Sequence, residues 1–336
     1  MLFIRPAGPA DIDAMMELAV LSGPGFTSLP EDEATLAERL AVSAASFAGE
    51  TAPAEAWYTL MLEDSETGRV EGLAGVRAAV GLKRPHFSFR VVTLAQYSSA
   101  IDTRFDHRAL VLVNECGGWT EVGSLFLRPE ARAGGAGSLL ARSRYMLIGA
   151  DPLRFSETVM AELRGWFEDD GTTSPFWEGV ASKFYRLPFS EADRMVMSTD
   201  GQFILDLAPR HPIYVELIDE AACNAIGRCH RDGEAAMAML KREGFSASGL
   251  IDIFDGGPTV TAPRDSIATI RSGRTLRVAI ADDAGAAEPA LLSTTAIASF
   301  RAIRADVSVS DNRAVIGRDA ARLLGVNTDD MIRVNQ

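Results

Sequence analysis

Apolar and polar positions follow two different periods along this chain. Ile12, Met15, Met16 and Ala19 recur at i, i+3, i+4 and i+7, the stripe of an amphipathic helix, behind Pro9 at a first helical position and ahead of Gly23-Pro24. A second helix is predicted from about Glu31 to Phe47, with Leu36, Leu40 and Phe47 on one side. Strands are predicted at 2–6, 57–63 and 69–82, the last two joined as a hairpin through the polar turn 64–68. Further β-rich runs cover 87–95 and 109–114, and a strand at 119–128 is closed by Pro129. A glycine-rich segment then opens a helix that runs to about Gly149.

The pattern continues with a strand at 157–164 and a helix at 174–189, started by the N-cap and N1 pair Ser174-Pro175. Residues 203–207 (FILDL) and 250–254 (LIDIF) read as strands, the latter stopped by Asp255-Gly256-Gly257-Pro258. Between them lie helices near 219–226 and 233–242, ended by Gly244. After about 261 the runs become short and β-like (274–280, 290–295, 299–304, 306–309), with one small helix at 318–324 and a closing strand. This predicts a separate small β-barrel over 261–336, with 281–288 as a surface loop.

Composition narrows the function. Of 336 residues, 47% are hydrophobic and 24% charged, as expected of a globular protein with a substantial core. Lys+Arg is 33 and Asp+Glu 46, a net charge of −13, which disfavours nucleic acid and anionic membrane as partners. No signal peptide and no membrane-spanning run is predicted. Three unevenly spaced cysteines, Cys116, Cys223 and Cys229, suit a reducing cytoplasm. Four histidines and no metal motif predict no metal site.

The chemistry gathers at strand, Arg132-x-x-Gly135-x-Gly137, helix. Glycines let backbone N–H groups approach a ligand, and the helix start adds unpaired donors and a positive dipole end. Such a loop either cradles a pyrophosphate or merely caps a helix. A Rossmann unit would place GxGxxG after the first strand, and here the third glycine position holds Leu140.

This RxxGxG segment resembles the CoA-binding segment of the GNAT superfamily of acyl-CoA N-acyltransferases. A narrower resemblance covers residues 1 to about 265. It is carried by GFTSLPEDEATLAERL (25–40), LEDSETGRVEG (62–72), GSLFLRPEARAGGAGSLLARSRY (123–145), AELRG (161–165), SPFW (174–177), RHPIY (210–214), IGRCH (226–230) and LIDIFDGGPT (250–259). These strings are similar to the arginine N-succinyltransferase family. The ending of the chain is similar to double-psi β-barrels. Where the family usually reads Gln-Val-His-Pro, this chain reads Arg228-Cys229-His230-Arg231.

The resemblance implies an α+β, GNAT-like fold over 1–260: a mixed, mostly antiparallel sheet flanked by helices. It implies transfer of succinyl from succinyl-CoA to the α-amine of L-arginine. A subunit without catalytic activity, or an acyltransferase for another basic amino acid such as ornithine, remains open, as does a homo- or hetero-oligomer with a related subunit. It maps the proton-donor histidine onto His230 and a succinyl-CoA contact onto Leu125. The cofactor-binding candidates are therefore Leu125, Leu127, Arg132, Gly135, Ala136 and Gly137. Asp252 and Glu162 could bind a guanidinium, and Arg164, Arg210 or Arg90 a carboxylate. A turn-stabilising role is the stronger reading for Asp255. Cys229 beside His230 is discounted as a nucleophile, since a Cys–His pair needs spatial and not sequential adjacency.

Overall fold

In the computed structural model, residues 1–23, 28–189, 191–192, 195, 202–281 and 287–335 are described. Pro24 and most of the expected 281–288 loop (282–286) lie outside them.

Both amphipathic stripes become buried helix faces. In α1 (Ile12–Ser22) Met15, Leu18 and Ala19 are buried, and in α2 (Glu33–Ala48) Leu36, Leu40 and Phe47. Asp32 caps α2 by accepting the Thr35 N–H at 2.8 Å, and Gly49 ends it at φ 79°. The two helices share one core with Met61, Leu73 and Phe126 of the sheet.

Contacts divide the chain into two compact units. The first comprises residues 1–79, 120–159 and 263–336. Its strands include β1 (Leu2–Pro6), β2 (Trp57–Asp64), β3 (Val70–Arg77) and β6 (Thr120–Leu127), paired antiparallel in the order β1-β2-β3-β6. Five more close a barrel: β11 (Arg274–Ile280), β12 (Glu288–Thr294), β13 (Ala302–Ser310), β14 (Arg313–Ile316) and β15 (Met331–Asn335), in the order β12-β15-β11-β14-β13 with β13 returning to β12. Only β11–β14 is parallel among these pairs. The sequence predicts β11, β12 and β15; its two runs 299–304 and 306–309 form the single strand β13, and β14 was not predicted.

This grouping differs from the expected division at 260/261, and β1 is the reason. It pairs with β2 on one side and with β13 on the other, in the register Phe3↔Ile303 and Ile4↔Ala302. Backbone hydrogen bonds and apolar contact therefore tie the barrel to the N-terminal strands. Phe3 joins the barrel core with Ile303, Leu292 and Ile332.

The second unit comprises residues 80–119 and 160–262. Its sheet runs β7-β10-β9-β4-β5-β8, with β4 (Ser88–Ser98), β5 (Thr103–Val113), β7 (Thr158–Glu162), β8 (Ile213–Tyr214), β9 (Ser246–Ile251) and β10 (Pro258–Pro263). An aromatic core of Phe89, Trp166, Phe176, Trp177, Tyr185 and Phe203 lies within this unit.

Three expectations need correction here. FILDL is not a strand: Gln202–Leu207 is helical, burying Phe203 and Ile204 and bonding Gln202 to Asp206 at 3.0 Å. A short apolar run carries no period that separates strand from buried helix. The strand expected at 250–254 starts at Ser246 and stops at Ile251, because the Asp252 carboxylate turns the chain. The helix expected at 174–189 is interrupted by a wider π turn at Trp177–Ala181 and ends at Arg186, at φ 53°. Its start is as expected, with the Trp177 N–H donating to Ser174 Oγ at 3.2 Å.

Ile303 is fully buried and links β1 to the barrel. Ile303→Ala is expected to lower stability by about 2–5 kcal/mol through lost burial and a residual cavity. Urea unfolding checks this.

Candidate active site

In the first unit, β6 carries a bulge. Its register with β3 passes from Phe126↔Leu73 to Gly123↔Gly75, so Ser124 and Leu125 together face Ala74. Ser124 takes a left-handed φ of 49°. A bulge leaves ladder groups unpaired, which frees main chain beside the half-buried Leu125. Leu127 is buried, and its carbonyl accepts the Arg132 Nε–H at 3.2 Å. This bond holds Arg132, whose guanidinium lies 6.0 Å from the Phe126 ring centre.

Gly134 and Gly135 follow, both left-handed at φ 64° and 86°, and α3 (Ala136–Ala150) begins without a side-chain cap. The Leu139 N–H donates to the Gly135 carbonyl at 3.0 Å, so the helix ladder starts there. The N–H groups of the first turn, at Gly137 and Ser138, precede that ladder and are available to an anion. A cavity of about 210 Å³ adjoins this turn, lined by Gly134, Gly135, Ala136, Leu139 and Arg304 among others.

In the second unit, His230 is placed by backbone bonds. Gly165 and Cys229 form a β-bridge, and the His230 N–H donates to the Arg164 carbonyl at 2.8 Å. The imidazole is 16% exposed. Its Nδ1 accepts the Asp232 N–H at 3.2 Å and lies 3.5 Å from Asp232 Oδ2. In the neutral ring so bonded, the proton sits on Nε2. When the ring is charged, the Asp232 carboxylate faces Nδ1. Asp232 can therefore satisfy Nδ1 in either state. Burial, then the positive charge of Arg164, hold the pKa of His230 below its ordinary value.

Arg164 stacks on Phe167 at 4.2 Å, and the Phe167 ring meets His230 edge-on at 6.2 Å. Its Nε is buried with no hydrogen-bond partner among the described residues. Glu162, two residues earlier, bonds His86 Nε2 at 2.9 Å. His86 was not singled out in the sequence, because nothing local links residues 76 positions apart.

Asp252 accepts the N–H groups of Phe254 and Asp255 at 2.7 and 2.9 Å. Asp255 accepts those of Gly165 and Gly257 at 2.7 and 2.8 Å. The two carboxyl groups are also hydrogen-bonded to each other. Burial and, next, the charge of Glu162 raise the pKa of Asp252; burial and then Asp252 raise that of Asp255 further. Glu162, Arg164, His230 and Asp252 are thus brought into one neighbourhood.

Arg90 is paired with Glu115 and the Ser248 carbonyl, and Arg210 is exposed. Burial pushes the Cys229 thiol up and the Cys116 thiol to about 12, so neither is a ready thiolate. Among the described residues no group of three or more His, Cys, Asp or Glu side chains could hold a metal ion. No helix among them is long and apolar enough to cross a membrane.

Residues 2–269 match the family model of the arginine N-succinyltransferase beta subunit, and residues 274–335 that of its C-terminal domain. An arginine N-succinyltransferase of Escherichia coli is 36% identical over 335 residues, 99% of this chain and 97% of the relative. One from Salmonella paratyphi B is 41% identical over 313 residues, 92% and 91% of the two chains. Among solved structures, arginine/ornithine succinyltransferase subunit AI from Pseudomonas aeruginosa matches with a TM-score of 0.89 at 31% identity, covering 99% of this chain and 98% of that one.

The carboxyl pair generates a stability prediction. Both folded pKa values are raised, so the folded chain holds a proton more tightly than the unfolded chain does. That stabilisation is complete below the ordinary Asp range and is lost as pH rises through the raised values. Asp252→Asn keeps the acceptor oxygen and removes one charge. The variant should match wild type near pH 4 and be more stable by ~1–2 kcal/mol near pH 7.5. Denaturant melts at both pH values test it; equal gaps at the two would contradict it.

Proposed function

The chain belongs to the arginine N-succinyltransferase family, and from that premise we propose that it moves the succinyl group of succinyl-CoA onto the α-amine of L-arginine. It is an acyltransferase. The observation that carries the reading is the unbroken run of bulged strand, left-handed glycines and uncapped helix start at 124–138. That run suits a GNAT-type fold and its acyl-CoA co-substrate. Main chain at Leu125 receives the pantetheine and thioester end, while Arg132 and the loop and first turn at Gly135, Ala136 and Gly137, with open N–H groups at Gly137 and Ser138, take the pyrophosphate. Residues 261–336 carry the five barrel strands, a double-psi-like barrel that β1 joins to the acyltransferase part, 1–260. The three free cysteines suit a reducing compartment such as the cytoplasm.

The amine attacks the thioester carbonyl, the C–S bond breaks, and the amine gives up a proton while the thiolate gains one. His230 carries the donor role from Nε2, with Nδ1 served by Asp232. A lowered imidazole pKa makes the charged ring a stronger acid, and a thiolate of ordinary pKa near 8.5 accepts its proton downhill. Asp252 and Glu162 provide negative charge for the basic substrate, and the unpaired Nε of Arg164 suits its carboxylate.

A second substrate has one observation in its favour: the P. aeruginosa relative is an arginine/ornithine succinyltransferase subunit. Its designation as a subunit also supports an oligomer for this chain. Thiol release from succinyl-CoA with arginine, ornithine and lysine in parallel decides the acceptor. No release with any of them would favour a non-catalytic subunit.

His230→Ala should lower kcat by ~10²–10⁴-fold with little change in KM for succinyl-CoA. Wild-type turnover with normal melting would remove the imidazole from the mechanism. Gly137→Asp places a negative charge in the first turn of α3, where a Cβ has open room, 3.9 Å from Leu127. It should leave melting unchanged or slightly raised, since the charge suits the helix dipole, yet weaken CoA binding by ~2–3 kcal/mol. Calorimetric titration of CoA checks the second half.

A further inference from the structure

Beside the β6 bulge lies a charge that the reading above leaves unused. Arg39 projects from α2 and is 7% exposed. Among the described residues its one hydrogen bond goes to the Ser28 carbonyl, and no carboxylate lies within ion-pair distance of it. Its guanidinium lies 4.2 Å from the centre of the Trp57 ring, and that of Arg77 lies 4.9 Å from the same ring. Glu121 is the partner of Arg77, at 3.3 Å. Two guanidinium groups thus share one indole, and only that of Arg77 is paired with a carboxylate among the described residues.

The same place borders the bulge. Ser124 Oγ donates, at 3.5 Å, to the Ser28 carbonyl that Arg39 also uses. A Cβ at Gly75 would stand 3.2 Å from Ser124 Oγ and 3.3 Å from Trp57 Nε1, so the bare glycine leaves room between them. An unpaired buried guanidinium is costly, and stacking on an indole offsets part of that cost. Burial and then the like charge of Arg77 pull the Arg39 pKa down to about 10, which leaves it charged at neutral pH.

We infer that Arg39, aided by Arg77 across the Trp57 ring, receives the terminal carboxylate of the acyl donor and so selects a dicarboxylic acyl group over an uncharged one. The inference rests on the succinyl-CoA reading. A planar guanidinium fork matches a carboxylate in two parallel hydrogen bonds. An acetyl group has no group to place there.

The test titrates CoA and succinyl-CoA separately into the full chain, without amine, by calorimetry. Wild type should bind succinyl-CoA more tightly than CoA, by about tenfold to a hundredfold. Arg39→Gln should bring the two within about threefold while CoA affinity stays at the wild-type value, and Arg39→Lys should recover part of the gap. CoA affinity in the same preparation reports the folded fraction, so a purely structural role would weaken both ligands together. If Arg39→Gln does not fold, Arg77→Gln decides, since Arg77 is 41% exposed and tolerates change; it should narrow the gap. A variant that binds CoA and keeps the wild-type gap overturns the inference, as does a wild type with equal affinities. A wild type that binds neither ligand overturns the succinyl-CoA reading itself, and this inference with it.

Discussion

One buried carboxylate holds the second unit's site together. Asp255 accepts the N–H of Gly165, at the end of β7, and of Gly257, at the start of β10. Around that clamp two backbone segments lie in direct contact: a Cβ at Gly165 would strike the Asp255 carbonyl, and one at Gly257 the Leu163 carbonyl. Glycine is required at both positions by this approach alone. His230 then inherits its place, because the 226–230 strap is bonded to the clamped segments: Cys229 to Gly165, His230 to Arg164 and Gly227 to Gly256. Glu162 and Arg164 leave the same strand end. Removing the carboxylate would orphan two buried N–H groups and loosen every one of these side chains at once.

Much of this was legible in the sequence, and the limits are physical. The helices at 12–22 and 33–48 repeat apolar residues at a helical period over several turns, so their buried faces could be read directly. The Asp-Gly-Gly string at 255–257 pointed to a turn-stabilising Asp, and its carboxylate does bond the Gly257 N–H. The clamp on Gly165, 90 residues away, has no trace in local pattern. His86 beside Glu162 was invisible for the same reason. FILDL misled because five residues are too few to express a period. Within LIDIF the apolar residues read as one strand, but the Asp252 carboxylate accepts the N–H groups of Phe254 and Asp255 and turns the chain.

Arg39 shows a different limit. In the string EATLAERL it reads as one more charge on a solvated helix face, yet it is buried. Its burial depends on Trp57 and Ser28, and neither is close enough in sequence to mark it.

Arg128 gives the comparison that weighs most for Arg39. It is also buried, at 2% exposed, in the same unit. Its two terminal nitrogens meet the two oxygens of Glu17 at 2.7 and 2.5 Å, and its Nε donates to the Val70 carbonyl at 2.9 Å. A guanidinium buried for structure is thus satisfied within the chain, with every direction of the fork used. Among the described residues, Arg39 is satisfied in one direction and by an aromatic face, with a second cation nearby. The cost of leaving it so is of the same kind as that of burying the Asp252 and Asp255 carboxyl groups side by side. In both places stability is given up where charge is held ready. A structural role explains Arg128 completely; at Arg39 it leaves the open side of the fork without a reason, and a carboxylate brought by the acyl donor supplies one.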